Sequence, residues 1–327
     1  MRYLEFEKPL REIESKLEQL EAYASSRSID LSHEIQPLKD KLNTMLEEIF
    51  TQLTPWQRVQ LARHPDRPYT KDYIKAIVTD FVELHGDRTY RDDLAMITGM
   101  GSIGDESVAI IGHQKGRDTE ENIMRNFGMA HPEGFRKARR MMEMAERFSL
   151  PIITLIDSPG AYPGIGAEKR GQHTAIAENL QVMAALRVPV ICIVLGEGGS
   201  GGALAIGVGN RVLMLENAYY AVCTPEACAS ILLKDRKQAS TVASTMRIIA
   251  NELRGLGVVD EIIPEPLGGA HRNPGETAMN VKDAILRNLE QLKELDADAL
   301  VEDRYKRFRE IGVFYEAEQS GPTLATS

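Results

Sequence analysis

Apolar residues in the first fifty positions recur every three or four residues, which places each set on one face of a helix. Two such sets occur: Leu10, Ile13, Leu17 and Leu20, and then Leu38, Leu42, Met45 and Ile49. The polar stretch between them, residues 25–32, is typical of the loop in a helical hairpin. We therefore expect the chain to begin with two antiparallel helices.

Two more helices are predicted before residue 90. Thr54, Pro55 and Gln57 match a helix start, because Thr54 can cap the helix and Gln57 completes a capping box. This helix should end by residue 64, since a proline follows. The next helix is predicted over residues 70–85, with an apolar face of four residues: Tyr73, Ile77, Phe81 and Leu84.

From about residue 91 the pattern changes to short apolar runs between turn residues. Residues 94–103 and 108–114 flank Gly104-Asp105, which predicts a β-hairpin, and residues 132–148 have helical spacing. The other predicted elements are strands at 211–216, 219–222 and 258–263, and helices at 225–233, 239–254 and 276–312.

The clearest unit in the chain is a strand–helix–strand pattern. Residues 151–157 and 188–195 are apolar runs, typical of strands covered on both faces. A helix is predicted between them over residues 167–187. Such a unit gives two parallel strands joined by a right-handed crossover.

These patterns predict an α/β protein in three parts: a helical N-terminal region (1–90), an α/β core (91–263), and C-terminal helices with a polar tail (264–327).

The composition agrees with a folded chain, since 43% of the 327 residues are hydrophobic. No run approaches the roughly 18 apolar residues of a membrane-spanning helix. The charged N-terminus is unlike a signal peptide. A net charge of −9 argues against a protein that mainly neutralises nucleic-acid phosphates.

Both strands of the strand–helix–strand unit end in glycine-rich segments, residues 157–171 and 196–207. Ligands of open α/β sheets bind beyond the carboxyl ends of parallel strands. Glycines let backbone N–H groups approach a ligand without obstruction by a Cβ atom, and N–H groups at a helix start have no intrahelical partner. The sequence therefore predicts two backbone cradles for ligand oxygens.

Generic motifs leave three interpretations of the second segment open. Gly196, Gly198 and Gly201 fit the dinucleotide fingerprint G-x-G-x-x-G, with Glu216 as the acidic residue that binds a ribose. That fingerprint normally opens the first strand–helix–strand unit of a domain, whereas other elements precede it here. No Gly-Lys-Ser/Thr follows either segment, which excludes a Walker A loop. A third interpretation gives the glycines only a packing role.

The second interpretation of this segment is the active site of a serine hydrolase. Ser200 lies in a G-x-S-x-G pattern, and Asp260 and His271 follow in the order of an α/β-hydrolase triad. Chance supplies such an order easily, and a triad is recognised by geometry.

Longer stretches of sequence are more specific than any glycine pattern. The chain resembles the carboxyltransferase alpha subunits of bacterial and plastid-type acetyl-CoA carboxylases in six segments: DSPGAYPGIGAEKRGQ, GEGGSGGALAIGVG, IIGHQKGR, RNFGM, QLARHPDRPYT and IIPEPLGGAHRNP. The resemblance extends from the N-terminal helices to about residue 312.

The resemblance implies a crotonase-like (ClpP/crotonase) fold, a ββα superhelix, for residues 91–263. It also implies transfer of a carboxyl group from carboxybiotin, held on a biotin carboxyl carrier protein, to acetyl-CoA. The product is malonyl-CoA, for fatty acid biosynthesis. The amides of Gly201 and Gly202 would then stabilise the biotin ureido oxyanion. Four further residues would line the biotin and acetyl-CoA site: Gly198, Gly199, Gly160 and Ala161.

The resemblance further implies that the site is shared between chains. A carboxyltransferase beta subunit would supply the second oxyanion hole, most of the CoA site and a zinc ribbon, in an α2β2 heterotetramer that works with biotin carboxylase. No zinc is expected on this chain, because Cys192, Cys223 and Cys228 contain no C-x2-C pair. We expect three buried thiols and a cytoplasmic or plastid-stroma location.

Three basic residues lie in the segments that carry the resemblance: Lys115, Arg117 and Arg125. Such side chains usually remain at the surface. The alternative is that these three side chains line a channel for the ligand.

Overall fold

The computed structural model describes residues 2–312. Within them the helices are α1 (Lys8–Arg27), α2 (Ser32–Phe50), α3 (Pro55–Ala62), α4 (Thr70–Ile77), α5 (Thr119–Met124), α6 (Pro132–Arg147), α7 (Ile165–Lys169), α8 (Gln172–Ala185), α9 (Ser200–Leu204), α10 (Pro225–Leu232), α11 (Ala239–Thr245), α12 (Ala250–Gly255), α13 (Pro274–Leu292) and α14 (Ala297–Arg309). The strands are β1 (Thr79–Glu83), β2 (Met96–Ile103), β3 (Glu106–His113), β4 (Ile152–Ser158), β5 (Val190–Gly199), β6 (Arg211–Leu215), β7 (Tyr219–Ala221) and β8 (Glu261–Ile263). Strands and helices alternate from β3 onward, which confirms the predicted α/β core.

The predicted N-terminal helical pair is confirmed. α1 ends at Ser28, whose left-handed φ of 51° turns the chain toward α2. The apolar faces of the two helices meet, because Leu10 of α1 is buried in one cluster with Leu46 and Phe50 of α2. Most of the stability of such helices comes from burying this shared apolar face.

The predicted start of α3 is also confirmed. The Thr54 hydroxyl accepts a hydrogen bond from the Gln57 backbone N–H, and the Gln57 side chain accepts one from the Thr54 N–H. This reciprocal cap fixes where α3 begins. Arg63, which follows the last residue of α3, is thereby directed toward the end of β5.

The predicted helix over residues 70–85 is wrong in its second half. α4 is only eight residues long, and the chain continues as β1, which pairs antiparallel with β2. Phe81 and Val82 are residue types favoured in strands. The Phe81 ring packs over Gly99, where a Cβ would lie 2.5 Å from the ring. Leu84 donates its N–H to β2 rather than continuing a helix, so strand pairing overrides an apolar spacing that fits a helix.

One sheet forms the centre of the core, with the strand order β1-β2-β3-β4-β5-β6-β8 and with β7 paired to the end of β5. The predicted hairpin is the antiparallel pair β2–β3, whereas β3 through β8 pair in parallel. Ile152 of β4 lies opposite Val190 of β5, which confirms the predicted strand–helix–strand unit. Both strands are buried along their whole length, so this unit is covered on both faces.

Three predicted long helices are each divided in two. Residues 167–187 contain α7 and α8, separated at Gly171 by a left-handed φ of 80°. Residues 239–254 contain α11 and α12, and residues 276–312 contain α13 and α14. Asp296 caps α14 through its side chain, which is a local signal for a new helix start. Apolar spacing alone does not reveal such interruptions.

The division of the chain at residues 90 and 263 stays a prediction, although β1 lies before residue 91 and pairs with the sheet. The predicted polar tail, from residue 313 onward, lies outside the described residues. Between residues 2 and 312, no helix has the length and apolar character needed to span a membrane.

Candidate active site at the glycine-rich segments

The two glycine-rich segments lie side by side at the carboxyl ends of β4 and β5. Ser158, the last residue of β4, pairs with Gly198 near the end of β5. The sequence predicts that β5 stops at residue 195, but the strand continues to Gly199. α9 begins at Ser200, whose left-handed φ of 52° makes the sharp change from strand to helix.

Glycine allows the two segments to touch backbone to backbone. A Cβ at Gly199 would lie 2.2 Å from the carbonyl oxygen of Pro159. A Cβ at Gly202 would lie 2.4 Å from the carbonyl carbon of Gly160 and 2.6 Å from the nitrogen of Ala161. Both positions therefore require glycine. The structure brings together four of the six predicted site residues at this contact.

The remaining two predicted residues have different surroundings. A Cβ at Gly198 would lie 2.7 Å from the ring of Tyr220, so Gly198 serves close packing between β5 and β7. A Cβ at Gly201 would lie 3.6 Å from its nearest neighbour, which is an ordinary contact. Gly201 instead lines one end of a cavity of about 700 Å³, together with Ser200.

The cavity beside α9 has mainly apolar walls, to which Leu204, Tyr220 and Phe308 contribute. Gly201 and Gly202 lie in the first turn of α9, where backbone N–H groups have no intrahelical acceptor. Gly201 thus lies at the edge of an apolar cavity, and Gly202 follows it in the same turn. Hydrogen bonds formed there are electrostatically stronger than in bulk water.

Three charged side chains are buried beneath the glycine-rich segments. The Lys115 ammonium donates to Asp157 Oδ1 at 2.6 Å and to Glu197 Oε2 at 2.8 Å. Burial alone would lower the pKa of Lys115, but the two carboxylates outweigh it and raise that pKa. Burial raises the pKa of Glu197, whereas the charges of Lys115 and Arg63 outweigh it and bring that pKa down to about 2. Lys115 and Glu197 are therefore both charged at neutral pH.

A second layer of polar contacts surrounds Glu197. Arg63 donates to Glu197 Oε1 at 2.6 Å and to Glu226 Oε1 at 2.6 Å, and the Tyr219 hydroxyl donates to Glu197 Oε1 at 2.7 Å. Burial, followed by the Glu197 charge, holds the pKa of Tyr219 well above its usual range, so its hydroxyl stays protonated as a donor. Each carboxylate oxygen of Glu197 is thereby satisfied, as a buried charge requires.

Sequence reasoning missed this charged group. Lys115 is only 8% exposed and Arg125 is 9% exposed, so the expectation of surface positions is wrong for both. Arg117 is exposed, as expected, and donates to Asp72. One feature of the sequence does indicate such a group: Asp157 ends an apolar run, at the carboxyl end of a strand predicted to be buried. A charge at such a position needs a buried partner or a ligand.

His113 offers a test of the electrostatics next to Gly202. Burial and the Lys115 charge lower the pKa of His113 to about 3, so the folded protein holds it neutral. An unfolded histidine has a pKa near 6.5. Between these two pKa values the unfolded state therefore binds one more proton than the folded state does. This stabilisation is complete above about pH 6.5 and is lost as the pH falls toward 3.

We expect His113 to account for a loss of about 2 kcal/mol in the free energy of unfolding between pH 7.5 and pH 5. Urea unfolding at both pH values measures it. In His113→Leu the loss over the same interval should be smaller by about that amount, since the other titrating groups remain. An equal loss in both proteins would contradict a neutral, buried His113.

The hydrolase triad does not assemble. Asp260 accepts hydrogen bonds from the Arg307 guanidinium and from the backbone N–H of Val212. His271 is buried and stacks on the ring of His64, and it makes no hydrogen bond to Ser200 or Asp260. Ser200 therefore lacks the base that would activate it as a nucleophile.

The dinucleotide fingerprint is also wrong. Gly196 and Gly198 are extended residues within β5 rather than a turn between strand and helix. A Cβ at Gly196 would lie 2.8 Å from the carbonyl oxygen of Ala62, so this glycine admits α3 against the strand. Glu216 accepts a hydrogen bond from the Glu265 backbone N–H.

Among the described residues, Glu7, His64 and His271 form one compact group of possible metal-binding side chains. The imidazole rings of His64 and His271 stack with centroids 3.8 Å apart and planes 19° apart. Lone pairs of stacked rings point in parallel, which does not suit shared coordination of one ion. The group instead attaches the start of α1 to the core.

The prediction of three buried thiols is confirmed for one of them. Cys192 is buried, whereas Cys223 and Cys228 are partly exposed.

Comparison with known proteins identifies the family. A sequence model of the family described as "Acetyl co-enzyme A carboxylase carboxyltransferase-like" matches residues 3–312. The chain belongs to this family. The predicted resemblance is thereby confirmed, and so is the assignment of the chain to a transferase.

Two curated relatives illustrate the similarity. The acetyl-coenzyme A carboxylase carboxyl transferase subunit alpha of Thioalkalivibrio sulfidiphilus is 55% identical over 314 residues, covering 96% of this chain and 98% of that protein. The protein of the same name from Thermus thermophilus is 52% identical over 313 residues, covering 96% of this chain and 99% of that protein. The similarity therefore spans nearly the whole carboxyltransferase subunit.

Solved structures confirm the crotonase-like fold. Transcarboxylase 12S superposes with a TM-score of 0.57 at 20% identity, covering 78% of this chain and 44% of that chain. A Pseudomonas malonate decarboxylase heterodimer, MdcD–MdcE, superposes with a TM-score of 0.54 at 18% identity, covering 67% of this chain and 89% of that chain. The present chain spans less than half of the transcarboxylase chain.

Proposed function

We propose that this chain is the alpha half of a heteromeric acetyl-CoA carboxylase carboxyltransferase. Together with a beta subunit it transfers the carboxyl group of carboxybiotin to acetyl-CoA and forms malonyl-CoA, for fatty acid biosynthesis. The relatives that carry this name match nearly the whole chain. The observation that carries the proposal is the contact of Gly202 with Gly160 and Ala161, which brings the two backbone segments together next to Gly201, a residue that lines the cavity.

The role of the amides follows from where charge develops in the reaction. When carboxybiotin gives up its carboxyl group, negative charge accumulates on the ureido oxygen. The N–H groups of Gly201 and Gly202 hold that oxygen without having to reorganise. A donor prepared in this way typically contributes about 3 to 4 kcal/mol to the transition state. Gly199, Gly160 and Ala161 support the site where the two segments meet, and Gly198 supports it by letting β7 pack against the end of β5.

The proposal requires no catalytic acid or base from a side chain. The ureido anion left after carboxyl release removes a proton from the acetyl methyl group, and the resulting enolate attacks the carboxyl carbon. His113 agrees with this division of labour, since it is buried and neutral beside Gly202 and has a depressed pKa. The mainly apolar cavity suits the ring system of biotin, which presents few polar atoms outside its ureido group.

Two anions form in this reaction, the ureido anion of biotin and the enolate of the acetyl group. The amides of this chain stabilise the first of them. We propose that a beta subunit supplies the second oxyanion hole, most of the CoA site and a zinc ribbon, in an α2β2 assembly. That assembly receives its biotin on a carrier protein charged by biotin carboxylase. We place the reaction in the bacterial cytoplasm or the plastid stroma, as bacterial relatives and three free thiols support.

Co-expression with a candidate beta subunit tests this proposal. Malonyl-CoA decarboxylation with free biotin as acceptor should require both chains, because each supplies one set of donors. Turnover should rise at least about 100-fold over either chain alone, as expected when a set of oxyanion donors is completed. Stoichiometric labelling of Ser200 by a fluorophosphonate, with loss of activity, would instead support the interpretation as a serine hydrolase and contradict the proposed function.

A further inference from the structure

Lys115 occupies the space between the two glycine-rich segments. Its side chain leaves the chain just after β3, and its ammonium reaches Asp157 on β4 and Glu197 on β5. These two carboxylates lie 42 and 82 residues away along the chain. A single buried cation therefore joins three neighbouring strands at their carboxyl ends.

Each carboxylate stands next to a segment of the proposed site. Asp157 immediately precedes Ser158, and Pro159 and Gly160 come next; Glu197 immediately precedes Gly198. Asp157 Oδ1 also accepts a hydrogen bond from the Glu197 backbone N–H at 2.9 Å. Lys115 and this direct hydrogen bond therefore link the two segments, in addition to the pairing of Ser158 with Gly198.

The Lys115 stem is itself held in place. A Cβ at Gly128 would lie 2.9 Å from Lys115 Cγ and 3.1 Å from the Asp157 carbonyl oxygen. Asn126, Phe127 and Gly128 all have left-handed φ values, of 47°, 56° and 80°. Non-glycine residues adopt this conformation at an energetic cost, which surrounding structure must offset. A strained turn therefore closes over the lysine.

We infer that Lys115 is a positioning residue for carboxyl transfer, an inference that rests on the proposed function. Its ammonium holds Asp157 and Glu197 together, and so keeps the amides of Gly201 and Gly202 aligned with the backbone at Gly160. Buried ion pairs often add little to stability compared with apolar residues of the same volume. The charges are retained here because they fix the relative position of two backbone segments.

Lys115→Met in the complex with a beta subunit tests the inference, with Lys137→Met as the matched control. Lys137 is also a buried lysine, and it donates to Asp92 Oδ1 at 2.6 Å and to the Asp93 carbonyl at 2.8 Å, away from the glycine-rich segments. We expect Lys115→Met to lower kcat about 100-fold, the effect of displacing reacting groups by about 1 Å. The KM for biotin should change by less than about threefold, because amides aligned only for the transition state act on kcat.

Two further variants separate positioning from a general structural role. Lys115→Arg keeps the charge and should recover at least about tenfold of the lost kcat. Asp157→Asn keeps an acceptor for the Glu197 N–H and removes only the charge pairing, so it provides a folded protein if Lys115→Met does not fold. It should lower kcat about tenfold, since the Lys115 ammonium then donates to a neutral amide oxygen instead of a carboxylate.

The outcomes distinguish this inference from the proposed function. If the wild-type complex lacks carboxyl transfer, the proposed function fails. If the wild-type complex is active and the kcat of Lys115→Met equals that of Lys137→Met, the positioning role is overturned while the function stands. Equal losses of kcat in Lys115→Arg and Lys115→Met would also overturn it, as would full activity in Asp157→Asn.

Discussion

Gly202→Ala is expected to reduce carboxyl transfer by the assembled enzyme about 1,000-fold, the upper range for loss of an oxyanion donor. The new methyl group would lie 2.4 Å from the carbonyl carbon of Gly160 and 2.6 Å from the Ala161 nitrogen. These are backbone atoms and cannot rotate away, so the two segments must separate. That separation moves the amides away from the position of the developing anion.

Gly201→Ala is the matched control for this prediction. The two glycines are adjacent in α9, yet a Cβ at Gly201 would lie 3.6 Å from Ile176 and would clash with nothing. We expect kcat of Gly201→Ala to remain within about tenfold of wild type, because a backbone donor survives the change. Steady-state malonyl-CoA decarboxylation, with co-purification of the subunits to verify assembly, measures both. Equal activities in the two variants would refute the proposed contact.

Arg304→Met is expected to lower the free energy of unfolding by about 3 kcal/mol, as removal of the donor from several buried oxygen acceptors does. Arg304 of α14 is 1% exposed. Its guanidinium donates to the carbonyls of Met183, Leu186 and Val188 and to Asn210 Oδ1, at 2.6 to 3.1 Å. Burial lowers its pKa to about 10, so it remains charged at neutral pH. Its removal takes a donor away from four buried acceptors, of which Asn210 Oδ1 keeps a hydrogen bond from the Val190 N–H.

Arg309→Met on the same helix is the control for this loss of stability. Arg309 is exposed, and substitution of exposed residues usually changes the free energy of unfolding by no more than about 0.5 kcal/mol. Thermal unfolding should place Arg304→Met roughly 6 °C below the control. A difference of less than about 1 °C would show that α14 does not depend on this contact.

The sequence predicts those features that depend on neighbouring residues. The capping box of Thr54 and Gln57, the hairpin at Gly104-Asp105 and the strand–helix–strand unit all have local signatures, and the structure confirms each. The glycine-rich segments belong to the same class, because adjacent parallel strands bring their carboxyl ends together whatever the rest of the chain does.

Features that depend on distant residues were not predictable in this way. Phe81 fits a helical apolar spacing, and only its packing on Gly99 of β2 assigns it to a strand. The Lys115 contacts join residues 42 and 82 positions apart, so no local pattern contains them. The difference between Gly201 and Gly202 likewise arises only when two segments of the fold meet. The family resemblance predicted which residues form the site, whereas the structure shows the different surroundings of each glycine.

Titration of a fixed amount of beta subunit with this chain, followed by malonyl-CoA decarboxylation to free biotin, tests whether this chain carries one half of a shared carboxyltransferase site. Either chain alone should give no more than about 1% of the turnover of the pair. Turnover should rise until the two chains are present in equal amounts. Full turnover by this chain alone, or no turnover by the co-purified pair, would refute the shared site.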